Sequence, residues 1–256
     1  MRLFPLLLLA APLFAERITV PLRDPSRPAL VKVNTINGSI HVKTHGGKDV
    51  LVETEDSPPR TQPAPNGMRQ ILTGGGGINI EEENNVVTIK PQHGNGSYVV
   101  VVPEKSSLHL KSINAKEIRI EGVEGEINAE TVNGSIIITD ASGPVVAHAL
   151  NGRLTATLKQ IPAGKPMSFS TLNGRIDLTL PSGAKADFTI NNQRGETYSD
   201  FDFALKMTTS REESGRDNGP KYRLNLNRSL SGQINGGGPE ISIRSMNGTI
   251  YIRKAK

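Results

Sequence analysis

The sequence predicts an all-β protein whose strands repeat as the coils of a single-stranded parallel β-solenoid with Asn-Gly corners. Three observations lead to this prediction. A six-residue turn phrase recurs, short alternating strand segments fill the chain, and no segment shows the apolar periodicity of a three-turn helix. The phrase approximates Thr-apolar-Asn-Gly-x-Ile, and its copies centre on Asn37-Gly38, Asn133-Gly134, Asn151-Gly152, Asn173-Gly174 and Asn247-Gly248.

The first element, residues 1–15, is predicted to be a signal peptide. Arg2 supplies a short positive region, an apolar stretch runs from Leu3 to Phe14, and the small Ala15 stands before the charged Glu16. We therefore expect an exported protein that is periplasmic, on the cell surface or secreted. No later segment is long and apolar enough for a transmembrane helix, and residues 16–256 are predicted to form one β-solenoid repeat domain.

Composition limits how this domain is stabilised and what it binds. Hydrophobic residues make up 36% of the chain, but aromatic residues only 4%, so the core must consist mainly of Val, Ile and Leu. The absence of Cys excludes disulfides and thiolate metal sites. The formal net charge of +5 suits acidic glycans, anionic lipids or cell-wall polymers, whereas scattered basic residues and scarce aromatics argue against nucleic acid.

Two stretches interrupt the series of strand segments. Residues 57–77 are rich in Pro and Gly, and residues 208–220 are polar, so both are predicted to be loop excursions. Similar strand patterns flank each stretch, which favours one interrupted domain. The alternative is a short N-terminal β-domain, residues 16–105, followed by a separate repeat domain.

The spacing of the turn phrase predicts how its copies are arranged. Asn133 and Asn151 are 18 residues apart, Asn151 and Asn173 are 22 apart, and a weaker copy centres on Asn114. A period near twenty indicates repeated supersecondary units. Each coil is therefore expected to stack on the next at a strand spacing of ~4.8 Å.

The flanking residues favour a solenoid corner over a hairpin turn. Gly, and less readily Asn, adopts the left-handed backbone conformation that either structure could use. Two positions are apolar in every copy: the residue before Asn (Ile36, Val132, Leu150, Leu172, Met246) and the residue two after Gly (Ile40, Ile136, Leu154, Ile176, Ile250). In a two-residue hairpin these positions point to opposite faces, whereas a solenoid corner can turn both inward. A repeated-hairpin β-sandwich or barrel remains the alternative.

Three parts of the chain together resemble a known bacterial family. The repeated phrase, "GETYSDFDF" at 195–203 and "GGGPEISIRSMNGTIYIRK" at 236–254 are similar to exported β-strand-repeat proteins named "putative adhesins", a domain of unknown function. The resemblance covers residues 30 to 254 and is strongest after residue 110. It implies a parallel β-solenoid outside the cytoplasm, and it brings no ligand and no catalytic residues.

The sequence contains no recognisable motif for catalysis, a metal or a cofactor. The G-x-S-x-G, H-E-x-x-H and phosphate-loop patterns are absent, so we expect a protein that is not an enzyme and binds no cofactor. Glu124 with Glu126, and Asp200 with Asp202, would place carboxylates ~6.5–7 Å apart on one strand face, near glycosidase separations. Strand alternation often produces such pairs by chance. A polysaccharide lyase or hydrolase on a β-helix is kept as an alternative.

The outer surface of the coils is the remaining candidate site. Alternate residues after each corner should point outward and, if the copies stack, form a flat and mainly polar strip. The candidate binding face consists of Arg153, Thr155, Arg175, Thr179, Tyr251 and Arg253. The predicted function is that of a noncatalytic adhesin-like binding or scaffold protein of the cell envelope, whose partner is a glycan, a cell-wall polymer or an envelope protein. A self-assembling envelope structural protein is a further alternative.

Overall fold

The computed structural model confirms that the protein is all-β. It describes residues 17–55, 77–91, 97–214 and 223–256, and these contain no helix. Their nineteen strands form one mixed sheet. The strands are β1 (Arg17–Val20), β2 (Leu30–Asn37), β3 (Ile40–His45), β4 (Val50–Glu55), β5 (Ile78–Glu83), β6 (Val86–Pro91), β7 (Ser97–Pro103), β8 (Ser107–Glu121), β9 (Ile127–Ala141), β10 (Val145–Asn151), β11 (Leu154–Leu158), β12 (Met167–Asn173), β13 (Ile176–Leu180), β14 (Ala186–Asn192), β15 (Thr197–Ser199), β16 (Ala204–Ser214), β17 (Arg223–Ile234), β18 (Glu240–Asn247) and β19 (Ile250–Lys254). The predicted signal peptide lies outside the described residues, as do residues 57–76 of the first predicted loop.

Parallel strand pairs connect the copies of the turn phrase. The corner asparagines align in the order Asn37, Asn114, Asn133, Asn151, Asn173 and Asn247. The strands that follow the corners are also parallel in register, from β3 through the second halves of β8 and β9 to β11, β13 and β19. Among the described strands, those on either side of a corner have their residue pairings with strands of other corners, as β10 does with β9 and β12 and β11 does with β9 and β13. The alternative that places these phrases at hairpin tips is therefore wrong.

The order of stacking departs from the order of the sequence in two places. The segment β2–β3 lies between β6–β7 and β8, and the segment β18–β19 lies between β12–β13 and β14–β15. Segments that are successive in sequence pair with each other from β8 to β13, but the expected order is wrong at these two insertions. Turn phrases far apart in the chain thereby become neighbours.

Antiparallel pairs occur at both ends of this parallel region. At one end β1 pairs with β4, β4 with β7, and β5 with β6; at the other, β17 pairs with β14 and β16. Residues 208–214 belong to β16, so the predicted loop at 208–220 is wrong for these seven positions. Backbone pairing with β17 supplies the hydrogen bonds of this strand whatever the polarity of its side chains, which is why composition misled the prediction.

The buried residues confirm one half of the predicted corner and correct the other. The position two after Gly is fully buried in every copy: Ile40, Ile136, Leu154, Ile176 and Ile250. The position before Asn does not turn inward, because Ile36 is 55% exposed and Val132 is 38% exposed. Strand alternation continues up to the corner, so the Thr of the phrase faces the core, as Thr131 and Thr171 do.

Close approach between backbones explains most of the corner glycines. Only Gly38, with φ 120°, and Gly134, with φ 147°, have positive φ among the corner glycines, and no corner asparagine does. The expected left-handed Asn-Gly backbone is therefore wrong for the other copies. A Cβ on Gly152 would overlap the carbonyl oxygen of Gly134, and one on Gly174 would overlap that of Gly152. Glycine at these corners lets the backbones of neighbouring segments lie in contact.

Candidate binding site

The strands that follow the corners present two outward rows of side chains. One row aligns Thr155 with Asp177, then Tyr251 and Tyr198, across β11, β13, β19 and β15. The neighbouring row aligns residue 157 with Thr179 and then Arg253. Both rows are built on paired strands, which hold functional side chains more rigidly than loops do.

Five residues of these rows and of the adjacent corner form an aromatic–arginine cluster: Arg175, Asp177, Tyr198, Tyr251 and Arg253. The rings of Tyr198 and Tyr251 stack with centroids 5.5 Å apart and an interplanar angle of 16°. The guanidinium carbon of Arg253 lies 4.8 Å from the centroid of the Tyr251 ring, and that of Arg175 lies 5.6 Å from it. These distances are within the range of cation–π attraction.

Asp177 fixes the position of one of the two arginines. The Nε of Arg253 donates to Oδ1 of Asp177 at 2.8 Å, and this hydrogen bond raises the pKa of the Arg253 guanidinium. Asp177 is only 15% exposed, so it acts mainly as an anchor for Arg253. The guanidinium of Arg175 lies 4.0 Å from the same carboxylate and donates no hydrogen bond within the described part of the chain. Its side chain is 43% exposed, and its N–H donors can therefore reach a ligand.

A second carboxylate holds the exposed tyrosine. The hydroxyl of Tyr198 donates to a carboxylate oxygen of Glu196, and this hydrogen bond raises the pKa of the Tyr198 phenol. The ring of Tyr198 is nevertheless 50% exposed. An exposed aromatic face next to guanidinium donors can stack against the apolar face of a sugar ring and hydrogen-bond its hydroxyl or carboxylate groups.

The structure gathers part of the predicted binding face into this cluster. Arg175, Tyr251 and Arg253 belong to it, while Thr155 and Thr179 border it as register partners of Asp177 and Arg253.

Arg153 is the predicted face residue that stays outside the cluster. It lies at the preceding corner, where its carbonyl accepts from the N–H of Ile136, and its side chain forms no hydrogen bond, ion pair or cation–π contact with the described residues.

Sequence reasoning missed Tyr198 as a site residue. This tyrosine meets Tyr251 only because β19 inserts between β13 and β15. Its 53-residue distance from Tyr251 in sequence is unrelated to the repeat period. The aromatic residue itself, inside the polar segment 195–200, was the only available signal.

One carboxylate of each pair considered for catalysis has another partner. Glu126 forms an exposed ion pair with Lys165, with 3.3 Å between Oε2 and Nζ. Asp200 accepts a hydrogen bond from the backbone N–H of Lys254 at 3.3 Å. These contacts give both carboxylates a structural explanation.

A second surface feature, also missed from sequence, lies on the other side of the corners. The outward residues before the corner asparagines form an apolar row that lines a groove. The row consists of Ile36, Ile113, Val132 and Leu150. Their exposure follows from the strand alternation described above. The sequence showed the apolar character of the position before Asn but not the direction in which it points.

Comparisons with known proteins add little to this geometry. No protein-family model matches the chain, and no curated protein matches its sequence significantly. A solved structure of a "putative cell adhesion protein" from Clostridium sporogenes aligns with 94% of this chain and 99% of its own, at 9% identity and a TM-score of 0.42. A "putative adhesin" from Bacteroides fragilis aligns with 94% and 97%, at 11% identity and a TM-score of 0.28. At these TM-scores neither similarity decides fold or function, and the family resemblance stays a prediction.

The described residues contain no helix that is long and apolar enough to cross a membrane.

Proposed function

We propose that the protein is a noncatalytic, adhesin-like binding or scaffold protein of the cell envelope, and that the aromatic–arginine cluster is its contact with a glycan or cell-wall polymer. The observation that supports this proposal is the stacked pair Tyr198 and Tyr251 beside the half-exposed guanidinium of Arg175. Such a surface can bind a repeating polymer without any catalytic group.

The proposal includes a β-solenoid as the scaffold that carries the cluster. It is supported by the parallel register of the six corner asparagines and by the inward ladder of Ile and Leu after each corner. Stacked coils place residues that are distant in sequence at ~4.8 Å intervals along a surface. A polymer lying along the stack would meet Asp177, Tyr251 and Tyr198 in succession.

Export is also part of the proposal. The basic and apolar segment at residues 1–15 supports it, and the mature chain would then begin near Glu16. Sequencing the N-terminus of protein recovered from the envelope or medium of a bacterial host tests this step. An intact N-terminus on cytoplasmic protein would argue against export.

A binding screen tests the cluster. The chain from residue 16 onward is immobilised and challenged with neutral glycans, uronic-acid polymers and peptidoglycan fragments. We expect at least one polymer class to bind, and Arg175→Ala to weaken that binding about 10- to 100-fold, as expected for loss of a charged hydrogen bond. Arg153→Ala is the matched control, because Arg153 occupies the preceding corner outside the cluster, and it should bind as the wild type does.

The same experiment distinguishes binding from catalysis. Each polymer is analysed by mass spectrometry after prolonged incubation with the protein. Unchanged polymer is expected from a noncatalytic binder. Released oligosaccharides would replace the proposal with the carbohydrate-active enzyme, and equal binding by the Arg175 and Arg153 variants would remove the cluster from the site.

A further inference from the structure

The groove beside the corner asparagines has an exposed apolar floor. Ile36 is 55% exposed, Ile113 is 47% exposed and Val132 is 38% exposed, and Leu150 continues this apolar row. The groove encloses about 520 Å³, which lies within the usual range for small-molecule sites. Large apolar side chains collected in one open groove, rather than scattered, indicate a site of interaction.

The polar rim of the groove is already neutralised. Nζ of Lys111 lies 3.0 Å from Oε2 of Glu130, and these two side chains occupy adjacent strands in register. Nδ1 of His148 is 2.7 Å from Oγ of Ser170. The charges of this rim therefore balance each other, and the groove complements an uncharged ligand segment rather than an anion or a cation.

The asparagine side chains next to the apolar row are also hydrogen-bonded to one another. Five of the six Nδ2 atoms donate to the Oδ1 of the preceding asparagine in the stack, at distances from 2.8 to 3.1 Å. The participants are Asn37, Asn114, Asn133, Asn151, Asn173 and Asn247. These amides form a continuous ladder whose internal members have few groups left for a ligand.

The hydrogen bonding of the rim and of the neighbouring asparagine ladder limits the chemistry of the ligand. The oxygens Oγ of Ser112 and Oγ1 of Thr131 lack partners, but both are buried and out of reach. A sugar or a peptide backbone lying on the apolar row would lose hydrogen bonds to water, and the side chains of that row offer none in return; Asn34 is the only side-chain amide among the lining residues. An apolar chain loses none and gains contact with every side chain of the row.

We propose that this groove binds a single linear alkyl chain, such as the acyl chain of an envelope lipid, laid along the stack across Ile36, Ile113, Val132 and Leu150. Four rungs span three strand spacings, or ~14 Å. The chain would cross the strands, so each added methylene contacts a new part of the floor until the row ends. This site is separate from the aromatic–arginine cluster and does not depend on the function proposed for it.

A chain-length series tests the inference. Hexyl, octyl, decyl and dodecyl glucosides are titrated below their micellar concentrations, with binding followed by calorimetry and by the methyl NMR signals of Ile, Val and Leu. We expect affinity to rise about two- to fourfold per methylene and to level off once the chain fills the row. Shifts should concentrate at Ile113 and Val132.

A matched pair of variants locates the site. Val132→Asn should weaken binding of the decyl glucoside at least tenfold, whereas Val146→Asn should leave it unchanged. Val146 is likewise exposed, at 40%, and lies on the same strand as Leu150, but it is not part of the groove lining. Unfolding by urea checks that both variants are folded.

Three results would overturn the inference. Affinity independent of chain length would mean that only the glucose head group binds. Equal effects of the two valine variants would place binding elsewhere. Absence of alkyl binding together with a dimer in sedimentation that Val132→Asn dissociates would show that a second copy of the chain covers the groove.

Discussion

Replacement of Gly152 by Ala is the most direct test of how closely the corners stack. Gly152 is not among the residues with positive φ, so alanine is compatible with its backbone conformation. The added Cβ would nevertheless overlap the carbonyl carbon and oxygen of Gly134 in the neighbouring segment. Both are backbone atoms and cannot rotate away, so the two segments must separate locally.

The expected loss of stability follows from that separation. Overpacking at a rigid contact typically costs about 1–3 kcal/mol. Separation also disturbs the bond from Asn151 Nδ2 to Asn133 Oδ1, at 3.1 Å, and the bond from Ile136 N to Arg153 O, at 2.9 Å, both of which join these two segments. Each such bond contributes about 0.5–1.5 kcal/mol net. We therefore expect Gly152→Ala to lower the free energy of unfolding by about 3–5 kcal/mol, a large share of a typical total.

The assay is urea unfolding followed by far-UV circular dichroism, and two glycines serve as controls. A Cβ at Gly183 meets nothing within 4 Å and needs no positive φ, so Gly183→Ala should change stability by less than about 1 kcal/mol. Gly164 also faces open space but has φ 74°, so Gly164→Ala should cost about 1–2 kcal/mol from backbone strain alone. The three variants separate steric contact from conformational preference.

Equal stability of Gly152→Ala and Gly183→Ala would show that no rigid steric contact exists at the Gly152 corner. A loss equal to that of Gly164→Ala would also contradict such a contact, because backbone preference would then explain the corner. Repeat architectures can unfold in more than one step, so the m value must stay constant across the variants for the comparison to hold.

Three further outcomes are expected. In urea unfolding, Asn151→Ala should lower the free energy of unfolding by about 1–2 kcal/mol, because it removes two ladder hydrogen bonds. Asn247→Ala removes one such bond and should cost about half as much. Equal losses would show that the ladder hydrogen bonds do not contribute separately. Asn85→Ala should lower the free energy of unfolding by about 3 kcal/mol or more, because the 4% exposed Asn85 side chain bonds three backbone groups and the Asn85 backbone has φ 64°. Asn85→Gly should lose about 1 kcal/mol less, since glycine relieves the backbone strain. Identical losses for the two variants would show that backbone strain contributes nothing. The NMR signals of the Tyr198 ring should titrate with a pKa above the ordinary phenol value of about 10, and Glu196→Gln should lower that pKa. Any stability that this hydrogen bond contributes should be present below the ordinary pKa and lost as the pH rises through the raised pKa. An unchanged titration of Tyr198 in the variant would contradict the assignment.

The corner itself was largely predictable from the sequence. Alternating β-branched residues identified the strands, and the apolar residue two after Gly was correctly placed in the core, as at Ile136 and Ile176. The repeated phrase also identified the aligned asparagines, including the weaker copy at Asn114. These features are local, because a few adjacent residues determine them.

Two parts of the corner could not be predicted in the same way. Apolar character at Val132 and Leu150 was taken as a sign of burial, but the strand period sends this position outward and the neighbouring Thr131 inward. The corner glycines were assigned to left-handed backbone, whereas close contact between neighbouring segments explains Gly152 and Gly174. The first error lay in expecting the corner to turn this position inward, and the second concerns what lies beside a glycine in the stack.

The sequence alone therefore determined the all-β class, the corner positions and the buried row behind them, because these depend on local residue pattern. Tertiary structure decided the order of stacking and, with it, both candidate sites. Hydrogen bonds between parallel strands are similar at every register that aligns a corner with a corner, so the local phrase does not specify which copy becomes the neighbour. The insertion of β18–β19 between β12–β13 and β14–β15 brought Tyr251 between Asp177 and Tyr198.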